Sequence, residues 1–66
     1  MILDEALKGV STVGKGTYNI GFINTEGAED ETQKEAQNRS DLKDLWKEFC
    51  KENGFKQNSV IYVERV

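Results

Sequence analysis

Three groups of residues in this chain of 66 carry atoms that could do chemistry. Gly9, Gly14 and Lys15 stand at the spacing G-x-x-x-x-G-K, with Gly16 and Thr17 following. That is the pattern of a loop whose backbone amides wrap a phosphate while the lysine reaches it. Cys50 is the single cysteine, a thiol that could act as a nucleophile. Glu26, Glu29, Asp30 and Glu31 bring four carboxylates together over a short run, a set that could bind calcium or meet a basic partner.

Each group has a plainer reading. A phosphate-binding loop needs a helix N-terminus immediately after it. Here Thr17-Tyr18-Asn19-Ile20-Gly21-Phe22-Ile23 alternates like a strand instead. The spacer Val-Ser-Thr-Val is β-branched where that loop uses glycine, so Gly14-Lys15-Gly16 reads as a hairpin turn. Cys50 has no base to activate it, because the chain has no histidine, and its place among apolar residues suits a small core hydrophobe. The acidic run lacks a glycine at the position of a calcium loop, and nothing beside it looks like a flanking helix pair. No metal and no cofactor is expected.

The elements that would position these residues follow from periodicity. Leu42, Leu45, Trp46 and Phe49 recur at i, i+3, i+4 and i+7, with Cys50 completing the stripe, which predicts an amphipathic helix over residues 40–53. Ser40 is its expected N-cap, and Asp41 suits the first turn. Gly54 supplies the left-handed C′ residue, with Phe55 folding back on the helix. Residues 59–66, apolar through Val60-Ile61-Tyr62-Val63, read as a central strand. Within residues 17–24, Tyr18, Ile20 and Phe22 share one face and Gly21 lies on the other, which suggests a bulge or a close approach at the glycine.

The remaining segments are less regular. Residues 1–9 read as a strand running on into residues 10–13, with a short helix as the alternative, since Ile2, Leu3, Ala6, Leu7 and Val10 also fit helical spacing. Residues 26–39 are polar and hold almost nothing to bury, so they read as a long acidic surface loop. The sum is one α+β domain over residues 1–66, of ββαβ type. Its three- or four-stranded, mainly antiparallel sheet carries one amphipathic helix on one face.

Bulk composition narrows the function. Twelve acidic residues against nine basic ones give a net charge of −3, and the excess sits in residues 26–37. An acidic chain without a basic stripe argues against nucleic-acid binding, whose affinity comes from Lys and Arg displacing counterions; Arg39, Lys43, Lys47 and Lys51 form a ridge, but acids flank it. No segment approaches the ~20 apolar residues of a membrane span, and no leader is read at the N-terminus. A lone thiol fits a reducing compartment, hence a cytoplasmic protein. A domain this small commonly needs a staple, and with neither disulfide nor zinc ligands available a homodimer is expected.

An enzyme is the least supported class, because no nucleophile and base are paired. The expected function is a small interaction protein that binds and modulates or inhibits a protein partner through Glu26, Glu29, Asp30 and Glu31. In style it resembles the small accessory and inhibitor proteins of bacteriophages and mobile elements. A nucleotide or signalling molecule held at a dimer interface by Gly14, Lys15, Gly16, Thr17 and Tyr18, with Tyr18, Trp46 or Tyr62 stacked on its base, is the alternative. A nucleic-acid accessory factor comes third.

Overall fold

A computed structural model of the chain describes residues 1–12 and 14–66. It contains α1 (Leu3–Ala6), β1 (Gly16–Ile23), β2 (Glu29–Ala36), α2 (Arg39–Asn53) and β3 (Val60–Arg65). The three strands form one antiparallel sheet in the order β2-β1-β3, with α2 as the main helix: a small α+β fold.

The helix forms where its apolar stripe requires. Leu42, Trp46 and Cys50 are buried, and Leu45 and Phe49 pack beside them at the edge of the core. From the sheet, Tyr18, Ile20 and Phe22 of β1 meet Val60 and Val63 of β3 in the same core. Phe22 is the hub of an aromatic group, its ring centroid 5.5 Å from that of Trp46 and 4.9 Å from that of Phe55, in tilted or edge-on arrangements. The Trp46 indole donates to the Gln57 carbonyl at 3.2 Å, so burying the ring leaves no orphaned donor. Gly54 ends α2 at φ +74°, its N–H bonded to the Cys50 carbonyl.

Several expectations are corrected. The N-cap is Asn38, not Ser40: its Oδ1 accepts from the Asp41 N–H at 2.8 Å, and the helix begins at Arg39. Residues 1–9 contain the short helix α1 rather than a strand, because Leu3 and Leu7, one turn apart, both enter the core. Asp4 then clasps α2 through Lys43 at 2.8 Å and Arg39 at 3.8 Å. Residues 10–12 are not a strand, and Val13, expected in the same strand, lies outside the described residues. Without that strand, Gly14-Lys15-Gly16 joins no hairpin; it leads into β1.

The hairpin lies one element later. Asn24 Oδ1 accepts from the Glu26 N–H at 2.9 Å and the Ala28 N–H at 3.1 Å, and Gly27 takes φ +82°. This turn folds residues 29–36 back onto β1, so the segment expected to be an acidic loop is strand β2 over most of its length. Backbone pairing recruits it, with little side-chain burial: only Ala36 is buried, while Thr32 and Lys34 are half-buried on the helix side. Lys34 stretches its Nζ to 4.5 Å from the Phe49 ring centroid.

The last strand, expected to be central, is an edge; β1 is central. Its apolar content on both faces has a different cause. Tyr62 pairs with Gly21 and Val60 with Phe22, which leaves Ile61 as an extra residue in a bulge. The bulge lets Val60 and Val63, three apart, both enter the core.

Candidate partner-binding face

Alternation along the strands assigns two faces to the sheet. The even-numbered residues of β1 face α2. The odd ones, Thr17, Asn19, Gly21 and Ile23, face the other way, and no element of the described residues packs over them. By register, Glu29, Glu31, Gln33 and Glu35 of β2 and Tyr62 and Glu64 of β3 lie on that same uncovered face. It therefore presents four carboxylates, and no Lys or Arg stands at any of these positions.

The centre of the face is ordered by Asn19. This residue is only 8 % exposed, and its amide nitrogen donates to Glu31 Oε2 at 3.2 Å on one side and to Glu64 Oε1 at 3.1 Å on the other. One amide group thus fixes a carboxylate from each flanking strand. The Tyr62 hydroxyl donates to the same Glu31 Oε2 at 3.2 Å. Partial burial, then the hydrogen bond to Glu31 and the charges of Glu31 and Glu64, push the Tyr62 phenol above its ordinary value, so it stays a donor at neutral pH.

The Tyr62 ring lies directly over Gly21. A Cβ at that glycine would fall 2.0 Å from Tyr62 Cε1, an impossible contact. The bulge and the close approach suggested by Gly21 are thus both present, and Tyr62 supplies the approach. The outer side of the ring remains open: Tyr62 is 41 % exposed and Ile23 38 %. A cleft of about 260 Å³ between Tyr62, Ile61 and Glu29, Asp30 and Glu31 lies beside the ring.

The expected acidic group is divided. Glu29 and Glu31 sit on the uncovered face, Asp30 alternates to the helix side, and Glu26 lies in the exposed hairpin turn. Asp30 instead bonds the strand's own backbone, its Oδ1 accepting from the Glu31 N–H at 2.8 Å. Among the described residues no group of three or more acidic, His or Cys side chains is placed to hold a metal ion. The face gains Asn19, Glu35 and Glu64, none of which the sequence singled out for binding, and Tyr62, which it offered as an aromatic ring able to stack on a ligand. The signal for Glu35 was the alternation of residues 29–36, which has meaning only once that segment is recognised as a strand, whereas Asn19, Tyr62 and Glu64 are brought to it by the register of β1 with β3.

The expected phosphate-contacting turn is placed differently from a phosphate loop. Gly14 has φ +75°, and strand β1 rather than a helix follows. Lys15 pairs with Glu35 at 2.8 Å, which raises the ammonium pKa through that hydrogen bond and charge. Arg65 closes over Gly16 and donates to the Lys15 carbonyl at 2.9 Å. Thr17 is half-buried, and the Tyr18 ring is wholly buried. Trp46 is buried as well, so of the three aromatic rings considered for stacking on a base only Tyr62 offers a face.

Cys50 is buried on α2, and desolvation raises its thiol pKa, which keeps it protonated at neutral pH. No helix among the described residues is long and apolar enough to cross a membrane. Compared with known protein families, curated proteins and solved structures, the chain finds no match in any of the three.

Proposed function

We propose that this chain is a small non-enzymatic interaction protein that modulates or inhibits a protein partner by covering part of its surface. In style it resembles the small accessory and inhibitor proteins of phages and mobile elements. The observation that carries this reading is the uncovered sheet face. It sets an exposed aromatic ring and Ile23 among Glu29, Glu31, Glu35 and Glu64. Aromatic residues inside a polar, charged rim are the ordinary anatomy of a protein interface. One sign of charge on that rim selects a basic partner and speeds the encounter.

The partner is a different protein rather than a second copy through this face, since two such faces would oppose carboxylate to carboxylate. The chain also closes its own core. Its accessible surface of 4236 Å² matches the roughly 4,250 Å² expected for a folded monomer of its mass. The lone, unpaired Cys50 suits a reducing compartment such as the cytoplasm.

The test is affinity capture from a bacterial lysate with wild type and with a Glu29→Lys, Glu31→Lys, Glu64→Lys variant whose fold is checked by circular dichroism. The expected result is a protein retained by wild type, lost from the variant, and eluted from wild type by moderate salt. Identical captured proteins in both samples would remove the face from the function.

A further inference from the structure

We infer that the cleft beside Tyr62 is the seat of an arginine side chain from the partner protein, the guanidinium stacked on the outer side of the Tyr62 ring and bonded to Glu31 and Glu29. This inference rests on the proposed function and names the chemistry of the contact. Charge complementarity is its first support: the uncovered face carries four carboxylates, and the ion pair formed with one of them, Lys15 with Glu35, lies at the far end of β2 from the cleft.

The aromatic ring narrows the occupant from any cation to a planar one. Tyr62 lies with one side against Gly21, so its other side is the open one, fixed in orientation by the hydroxyl bond to Glu31. A guanidinium can stack flat on such a ring while its N–H groups fork to a carboxylate; an ammonium, a point charge, is the weaker partner for the ring and has no planar fork to do both at once. The Glu31 carboxylate is also held in place before binding. Glu31 accepts from both Asn19 and Tyr62 at Oε2, which orders it and leaves Oε1 to accept from a ligand, while the Glu29 side chain, not engaged in any side-chain hydrogen bond or ion pair among the described residues, is available beside it. Groups ordered beforehand lose less entropy on binding.

Size agrees. At about 260 Å³ the cleft is smaller than the roughly 300–1,000 Å³ of small-molecule sites and suits a single long side chain. Its position between the bulge and the β2 edge leaves the rest of the sheet face to the partner's surrounding surface.

The test is a titration of the isotopically labelled protein, followed by amide chemical shifts at low salt, with a short Gly-Arg repeat peptide and the matching Gly-Lys peptide. The Gly-Arg peptide should bind about 2- to 5-fold more tightly, the ratio for a cation–ring contact worth about 0.5–1 kcal/mol. Its shifts should centre on Gly21, Glu31 and Tyr62. Tyr62→Leu should reduce the Gly-Arg affinity to the Gly-Lys level, whereas Tyr62→Phe, which keeps the ring, should retain part of the difference. Equal affinity of the two peptides at this face would overturn the arginine seat while leaving the acidic docking face standing. Absence of shifts on the face, or shifts confined to the acidic flank of α2, would overturn both.

Discussion

Gly21 and Asn19, two residues apart on the central strand, define the uncovered face between them. Gly21 admits the Tyr62 ring, and a methyl group there displaces it. Because Tyr62 is partly exposed it can swing outward, so Gly21→Ala should cost about 1–2 kcal/mol in urea denaturation, the lower part of the range for overpacking. The cost should largely vanish when Tyr62 is already Ser, and a full additive penalty in the double variant would show that the ring is not the obstacle. Asn19 is different in kind, being a buried neutral donor between two carboxylates. Asn19→Asp keeps the shape and adds a third negative charge with almost no solvent. It should destabilise the protein by about 3 kcal/mol at neutral pH and recover as pH falls, the reverse of an ordinary acid-labile carboxylate.

Among the elements, α2 and β2 show two ways for a segment to earn its place. The helix is held by its stripe and its caps, and the caps separate two candidate residues two apart. Asn38→Ala should cost about 1 kcal/mol, lowering Tm by about 4–8 °C in a domain of this size, while Ser40→Ala should stay within about 0.5 kcal/mol. A larger loss at Ser40 than at Asn38 in thermal melts would reverse the assignment. Strand β2 buries little and is held by its ladder to β1 and by the Asn24 turn. Its charges also protect an exposed edge. The Glu31 N–H is occupied by Asp30, and like charges along the strand discourage pairing with another chain.

At the scale of the whole molecule, ionisation links the two ends of the pH range to different contacts. Asp4 is held below its ordinary 3.8, first by its hydrogen bond to Lys43. Its contribution is therefore complete above that range and is lost as pH falls through the lowered value. Tyr62 and Lys15 are shifted upward, so their contributions are complete below about pH 10 and are lost as pH rises through the folded values. Stability measured by denaturant across pH should thus decline at both extremes. Asp4→Asn should flatten the acid limb and Tyr62→Phe the alkaline limb; an unchanged alkaline limb in Tyr62→Phe would remove that residue from the linkage. Cys50 should react with a thiol reagent only as fast as the fold opens, and rapidly in denaturant, because its thiol is buried and protonated.

What the sequence determined by itself was whatever local periodicity and local turn chemistry decide. The stripe from Leu42 to Cys50, the stop at Gly54, the alternation of residues 17–23 and the anomaly of Gly21 all depend on neighbours in the chain, and all were legible. The tertiary structure decided the rest. Residues 29–36 have no apolar pattern, and only the turn at Asn24 and the free edge of β1 make them a strand. Leu3 and Leu7 form a helical turn because the core has room for both. The uncovered face joins Glu31, Asn19 and Glu64 from three strands, residues that no spacing in the sequence relates. Gly21 marked that face from the start, but only the register with β3 could show that Tyr62 was what approached it.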